Sequence, residues 1–282
     1  MQLHYDAELI EGIVFLEVRR SPALLALRYD RARTKLYDLP GDEREAAFFQ
    51  LHLHWFRELG LEDKLRAVLQ RFPIITANTA TLLVRRTVTK KDEGAELFVR
   101  PDAKNVAIAF RCERLFEPGF ESFLAHELCH VSDMLDPSFA YEPEIRLTDA
   151  PPAEVDLLRE RYRVLWDITI DGRLNQNRAA RFAEFQKVMP TVPEQKFAEV
   201  WRQRPPHPEL LALAKSVLVR VEKTPGAPCP LCKFPTFVWA TEPPVVEIGK
   251  DFPHWLPAHG CCARCAELYS TGRLEQPAPL YI

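Results

Sequence analysis

The segment from Phe120 to Leu135 carries apolar residues at steps of three and four positions. The stripe consists of Phe120, Leu124, Leu128, Val131 and Leu135. This spacing places them on one face of an α-helix with about 3.6 residues per turn. Gly119 precedes the stripe, and Asp136 stands directly before Pro137, where the helical conformation is disfavoured. The pattern therefore predicts one amphipathic helix between Gly119 and Asp136.

The rest of the chain before residue 224 alternates between helical and strand-like patterns. Helical periodicity covers residues 43–71, and it begins again near Ala153 after a proline-bearing connection. Apolar runs rich in β-branched residues predict strands over 79–88, 95–100 and 105–110, and the segment TKKDEG between the first two is typical of a hairpin turn. These elements indicate an α+β protein with a small sheet.

The composition changes near the end of the chain. Residues 225–282 contain 10 of the 24 prolines and five of the seven cysteines. Such a shift marks a separate, loop-rich module. We therefore expect two domains, 1–224 and 225–282, with the boundary between Lys223 and Ala227.

Composition and charge exclude several classes of protein. The 282 residues are 47% apolar, which is enough for a substantial core and does not fit a disordered or fibrous chain. The formal charge of -3 gives no overall attraction to nucleic acid or to an anionic membrane. No window reaches eighteen apolar residues, and the first thirty residues do not look like a signal peptide. We expect a soluble cytoplasmic protein. The chain has seven cysteines, an odd number with four in close pairs, which fits metal ligation by thiolates better than a set of disulfides.

The predicted amphipathic helix carries the spacing H-E-x-x-H at His126, Glu127 and His130. Positions i and i+4 of a helix lie one above the other, so both imidazoles leave the same face and can bind one zinc ion. Glu127 would lie beside a zinc-bound water without being a ligand itself. That position suits a general base.

A catalytic zinc site usually has three protein ligands. Because no histidine occurs between His130 and His207, we expect the third ligand to be a carboxylate. Asp167 and Asp171 stand four residues apart in an otherwise apolar helical run, where a carboxylate needs a metal or a hydrogen-bond donor. We assign Asp171 as the ligand, because Gly172 lets the backbone come close, and Asp167 as the partner of a zinc-bound imidazole. The reverse assignment stays open.

Two other interpretations of these acids remain. Asp136, six residues after His130, is a rival third ligand. Alternatively, Asp171 caps a new helical segment or pairs with Arg173, and Asp167 pairs with Arg161 or Arg163, without any metal.

The motifs at 126–130 and 167–171 together resemble the zincin superfamily of zinc metallopeptidases, over about residues 75–185. The resemblance implies a zincin-like core, with a small sheet, an active-site helix and a second helix that supplies the third ligand. In the gluzincin branch the second helix usually reads E-x-x-x-D, with the glutamate as ligand. Asp167 occupies that first position here and is one methylene shorter, which leaves the ligand open between Asp167 and Asp171.

Two C-x-x-C pairs lie in the C-terminal module. They are formed by Cys229 with Cys232 and by Cys262 with Cys265. Four thiolates in two such pairs can surround zinc with no open position, which is typical of a structural site. Cys261 could replace Cys262, but the C-x-x-C spacing favours Cys262. The module resembles a zinc ribbon with four cysteine ligands, in which TFVWA and VVEIG are the predicted strands.

The charge of this module bears on its partners. Residues 225–282 contain four basic and five acidic residues, so nucleic-acid binding is disfavoured. Packing against the catalytic domain, or docking of a protein partner through Trp239, Phe252 and Trp255, is the better interpretation.

The sequence leads to one functional hypothesis and one alternative. The hypothesis is zinc-dependent hydrolysis of a peptide or protein substrate, with Glu127 as general base, one catalytic zinc and one structural zinc. Tyr141 is a candidate donor to the oxyanion. The alternative is a metal-stabilised binding or regulatory protein whose zincin-like site is inactive.

Overall fold

The residues that the structure describes form helices, a four-stranded sheet and a two-stranded sheet, which is the α+β class that the sequence predicts. The computed structural model describes residues 1–143, 152–189, 192, 194–216, 223–252, 255 and 259–272. The helices are α1 (Ala7–Arg20), α2 (Ala23–Thr34), α3 (Gly41–Glu58), α4 (Leu61–Leu69), α5 (Pro73–Asn78), α6 (Phe120–Leu135), α7 (Pro152–Leu174), α8 (Arg178–Val188), α9 (Glu194–Arg202), α10 (His207–Ser216), α11 (Val245–Asp251) and α12 (Ala263–Ser270). The strands are β1 (Gln2–Tyr5), β2 (Thr81–Arg86), β3 (Gly94–Val99), β4 (Lys104–Phe110), β5 (Ala227–Pro228) and β6 (Pro235–Thr236). Within the described ranges, no helix combines the length and apolarity that a membrane crossing requires.

The four-stranded sheet has the order β1-β2-β4-β3. β1, β2 and β4 run parallel, and β3 pairs antiparallel with β4. The predicted hairpin between β2 and β3 is therefore wrong: Lys90–Asp92 forms a short 3-10 helix, and the hairpin joins β3 to β4. The burial of the strands explains the order. β4 is buried along most of its length and takes a central position, whereas β3 exposes Phe98 and Val99 at the edge.

Helix α6 begins and ends where the sequence predicts. Gly119 precedes it with a φ of 84°, in the left-handed region that glycine adopts without strain. Asp136, before Pro137, is extended and ends the helix. The apolar stripe is buried, and Phe120 packs edge-on against Phe110 of β4 with ring centroids 5.4 Å apart. This packing fixes the start of α6 beside the sheet.

The chain divides into two compact units. The first consists of Met1–Tyr141, Asp167–Arg178 and Glu199–His207, and the second of Glu142–Trp166, Ala179–Ala198 and Pro208–Ile282. The sheet and α1 to α6 belong to the first unit, and the cysteine-rich module belongs to the second. The domain boundary predicted near residue 224 falls inside the second unit and stays a prediction.

The secondary structure of the cysteine-rich module differs from expectation. β5 and β6 form a hairpin of two-residue strands, and of the predicted strand TFVWA only Thr236 belongs to it. The segment VVEIG, predicted as a strand, is instead the start of helix α11. Pro244 stands at its N-cap, a helix end that tolerates proline. Val245 and Val246 are exposed while Ile248 is buried. Two consecutive exposed residues do not fit a strand, in which exposed and buried side chains alternate, but they fit one face of a helix.

Gly172 allows a close approach between two backbones in the first unit. A Cβ added at this position would lie 1.9 Å from the carbonyl oxygen of Trp201, at the end of α9. The close backbone approach expected at Gly172 therefore occurs, but the neighbouring group is this carbonyl. The glycine is required for packing between α7 and the chain around Trp201.

We expect Gly172→Ala to destabilise the fold, because the added methyl group requires the backbone of Trp201 to move. Overpacking of this kind costs about 1–3 kcal/mol. Thermal or urea unfolding measures the loss. Gly41→Ala is the matched control: Gly41 begins α3 and has nothing within 4 Å of an added Cβ, so its stability should be unchanged or slightly raised. Equal stability of the two variants would contradict this role for Gly172.

Candidate metal centres

His126, His130 and Asp167 bring their ligand atoms together within 4.8 Å of one another, and could hold a metal ion. The two histidines leave one face of α6, four residues apart, and Asp167 faces them from α7. The Nε2 atom of His130 lies 3.0 Å from Oδ1 of Asp167, and the Nε2 atom of His126 lies 3.5 Å from the same oxygen. Two imidazole nitrogens and one carboxylate oxygen are a ligand set that zinc takes in catalytic sites.

Asp171 contacts the opposite side of the His126 ring. Its Oδ1 atom lies 2.8 Å from Nδ1 of His126, and its side chain is fully buried. The side-chain amides of Gln176 and Asn177 also donate to this carboxylate, over 2.8 Å and 3.4 Å. A carboxylate that accepts the Nδ1 proton fixes the tautomer of an imidazole and leaves Nε2 available as a ligand.

The structure thus arranges the two aspartates in the order opposite to the favoured sequence assignment. Asp167 belongs to the ligand cluster, whereas Asp171, chosen as the third ligand, contacts the far nitrogen of His126. The spacing i and i+4 places both acids on one face of α7, but it does not fix how far α7 is shifted along α6. His126 contacts Asp171 and His130 contacts Asp167, so each histidine of α6 meets a different aspartate of α7.

The structure also shows the contacts of Asp136 and Arg173, on which the other interpretations of these acids depend. Asp136, the rival ligand, accepts hydrogen bonds from Ser138 and pairs with Arg204 over 2.8 Å, outside the cluster. Arg173, the expected partner of Asp171 in a metal-free interpretation, pairs with Asp133.

Burial and charge oppose each other at His126. Burial lowers the pKa of this imidazole, but the hydrogen bonds and charges of Asp167 and Asp171 outweigh it and raise the pKa to about 9. Asp167 and Asp171 are 5% and 0% exposed. Two buried carboxylates are costly unless positive charge and hydrogen bonds compensate them. A divalent cation at the cluster would supply that charge.

Glu127 points towards the edge strand of the sheet. Its Oε2 atom accepts a hydrogen bond from the backbone N–H of Ala95 over 3.3 Å. A Cβ added at Gly94 would lie 3.3 Å from the same oxygen, so the glycine leaves the room that this carboxylate occupies. A cavity of about 500 Å³ opens beside Glu127, with Ala107 and Ala109 of β4 in its lining. The candidate base therefore lies at the wall of a space that can admit a substrate.

Asp133, which the sequence did not single out, belongs to a cluster of buried charge on the helix that carries the histidines. It is fully buried and binds both Arg173 and Arg204. It stands three residues after His130 on α6, where a charge next to the apolar stripe could have signalled a buried ion pair.

Tyr141, the candidate oxyanion donor, packs its ring edge-on against His207, with centroids 5.5 Å apart. Burial raises the pKa of its phenol. Its role as a donor stays a prediction.

A second cluster lies in the C-terminal module. Cys229, Cys232, Cys262 and Cys265 place their sulfur atoms within 4.8 Å of one another and could hold a metal ion. Sulfur atoms lie 4.0 Å apart between Cys229 and Cys265, and 3.9 Å apart between Cys232 and Cys262. A tetrahedron with Zn–S bonds of about 2.3 Å has edges of about 3.8 Å, so these distances fit zinc. The neighbouring Cys261 is buried outside the cluster, and burial raises its thiol pKa to about 11.

Backbone groups favour the thiolate of Cys229, whereas burial raises the thiol pKa of Cys262 and Cys265. Burial acts to raise the pKa of Cys229, but hydrogen bonds from the backbone lower it to about 7. One of these donors is the N–H of Cys262, 3.3 Å from the sulfur. A thiolate is the form that binds metal.

The residues expected to dock a partner have different exposures. Trp255 is buried, and its indole N–H donates to the carbonyl of Gly260 over 2.8 Å. Phe252 is 39% exposed. More exposed apolar side chains on this module are those of Phe234 and Phe237, at 72% and 74%. The expectation is therefore wrong for Trp255, which belongs to the core of the module.

Comparison of the chain with models of protein families, with curated proteins and with solved structures finds no match.

We expect Cys229→Ser to lower the zinc content of the purified protein by about one equivalent and to destabilise the C-terminal module, because a closed thiolate site contributes folding free energy. Metal analysis and thermal unfolding measure both effects. Cys261→Ser is the matched control, since it alters an adjacent buried cysteine outside the cluster and should keep its zinc. Full zinc content in Cys229→Ser would refute the assignment.

Proposed function

We propose that this protein is a zinc-dependent peptide-bond hydrolase of the zincin type. His126, His130 and Asp167 would hold the catalytic zinc, and Glu127 would act as the general base. The observation that carries the proposal is the convergence of the two histidines and Asp167, on paired helices, next to a glutamate that borders a cavity. The four cysteines would hold a second, structural zinc.

The chemistry divides between the ion and the side chains. Zinc bound at such a site lowers the pKa of a bound water towards about 7 and polarises the carbonyl of the substrate. Glu127 lies one residue after His126 and is not among the converging ligand atoms, so its carboxylate is available to take a proton and pass it to the leaving amine. The N–H of Ala95 holds one oxygen of this carboxylate and so orients it.

Asp171 would orient the ligand His126. Its contact with Nδ1 keeps the Nε2 lone pair of His126 on the side of Asp167. Gln176 and Asn177 in turn hold the carboxylate of Asp171. Partners of this kind contribute about 10–100-fold to metal affinity or activity, less than a ligand itself.

The two aspartates can be distinguished by mutation. We expect Asp167→Asn to lose the zinc of the histidine site, because it removes a charged ligand, and Asp171→Asn to keep it with about 10–100-fold weaker affinity. Competition with a chromogenic chelator measures both affinities, and the ribbon zinc should stay in place as an internal reference. The opposite ranking would restore Asp171 as the ligand.

The role of Glu127 has its own test. Glu127→Gln keeps the size of the side chain and removes its basicity, so zinc content and thermal midpoint should survive while hydrolysis falls by about 10²–10⁴-fold. Substrates are first sought by incubating the zinc-loaded protein with a diverse peptide library and reading cleavage by mass spectrometry. Glu127→Gln is then compared with the wild type on each cleaved peptide.

Two results would count against hydrolysis. If the zinc-loaded wild type cleaves nothing in the library, the alternative of a metal-stabilised binding protein gains support. If Glu127→Gln cleaves as fast as the wild type, the activity comes from another group.

A further inference from the structure

Asp133, Arg173 and Arg204 form a buried charged cluster, the Asp133 clasp, at the end of α6. The guanidinium of Arg173 donates to both carboxylate oxygens of Asp133, over 2.9 Å and 2.6 Å. Arg204 donates to Oδ1 of the same carboxylate through two nitrogens, over 3.1 Å and 2.8 Å. Asp133 itself has no exposed surface.

The geometry of the Arg173 contact restricts how the two helices can lie. A guanidinium that meets both oxygens of a carboxylate fixes their orientation as well as their separation. Asp133 belongs to α6 and Arg173 to α7, so this contact ties one helix to the other. Arg173 also donates from Nε to the carbonyl of Thr169 on its own helix, over 3.3 Å, which restricts the side chain further.

The same two helices carry the candidate zinc ligands. Asp133 is three residues after His130 on α6, and Arg173 is six residues after Asp167 on α7. A shift of α7 along α6 would therefore move Asp167 relative to both histidines. Zinc–ligand bonds of about 2 Å leave little tolerance for such a shift.

Arg204 adds a third segment to the clasp. It follows α9 and also pairs with Asp136, the residue that ends α6, over 2.8 Å. Three residues earlier, the carbonyl of Trp201 packs against Gly172 of α7. The end of α9 therefore approaches α7 one residue before Arg173, and Arg204, just after α9, contacts the end of α6.

We propose that Asp133, Arg173 and Arg204 are positioning residues for the metal site. The clasp sets the register between α6 and α7 at which Asp167 meets His126 and His130. This inference rests on the proposed metal site, and it adds residues that are not ligands and do not touch the reacting atoms.

The test uses Arg173→Lys, which keeps the positive charge and loses the two-pronged contact. The full-length protein, with zinc in its ribbon and its histidine site emptied by a mild chelator, is titrated with Co²⁺. The visible absorption of cobalt reports the geometry of its ligands, which a loss of fold stability alone does not change. We expect about 10–100-fold weaker Co²⁺ binding than in the wild type and an altered spectrum.

Arg66→Lys is the matched control. Glu62 is a second buried carboxylate of this unit held by two arginines, with Arg66 2.9 Å and Arg57 3.1 Å from its oxygens. The pair of Glu62 and Arg66 lies in α4 and carries no candidate ligand. Arg66→Lys makes the same substitution at a buried carboxylate, which Arg66 contacts through one nitrogen. It should leave Co²⁺ affinity and spectrum unchanged, and thermal unfolding of each variant reports its stability.

The outcomes separate the inference from the function on which it rests. If the wild type takes up no Co²⁺ at the histidine site, the proposed metal site itself fails. If the wild type binds Co²⁺ and Arg173→Lys has the same affinity and spectrum, the positioning role alone is overturned. Equal weakening in Arg173→Lys and Arg66→Lys would also overturn it, because the effect would then be general destabilisation. Should Arg173→Lys not fold, Arg204→Lys, which retains the Arg173 contact, takes its place, with the same expected direction and a smaller change.

Discussion

The burial of Asp167 and Asp171 in an apolar stretch of α7 is the constraint on which the candidate site depends. Isolated buried carboxylates would cost several kcal/mol each, so both must meet positive charge or hydrogen-bond donors. The histidines of α6 supply two imidazole rings, which lie 2.8 Å from Asp171 and 3.0 Å from Asp167. The contacts between α6 and α7 therefore give both carboxylates hydrogen-bond partners and bring together three side chains that could hold a metal ion.

The two clusters differ in the number of metal-ligand atoms that they supply. This number decides whether a bound ion would have a position open for water or substrate. Four sulfur atoms at tetrahedral distances leave a bound ion no open position, which suits a structural role. Two imidazoles and one carboxylate leave a fourth position, which can take water or substrate. Glu127 follows His126 directly in the chain and lines a cavity, and the three-donor cluster and the candidate base both belong to the first unit.

Local signals predicted single elements well and predicted relations between elements poorly. The bounds of α6 follow from Gly119, the apolar stripe and Pro137, all of which act within a few residues. The assignment of Asp167 against Asp171 depends instead on the offset between two helices, which no spacing within one helix contains. The strand order β2-β4-β3 likewise depends on which strand is buried on both faces. Asp133 was missed for the same reason, because its two arginines lie 40 and 71 residues away along the chain.

The position of Glu127 shows how far backbone geometry controls this site. The oxygen that would take a proton is held by the N–H of Ala95, and the room it occupies exists because Gly94 has no side chain. Neither residue carries a chemical group that a motif search would single out. Both lie at the start of β3, an edge strand placed there by its exposed side chains. The edge position of β3 is thus linked to the orientation of the candidate base, and a change in strand order would remove both the hydrogen bond and the cavity beside it.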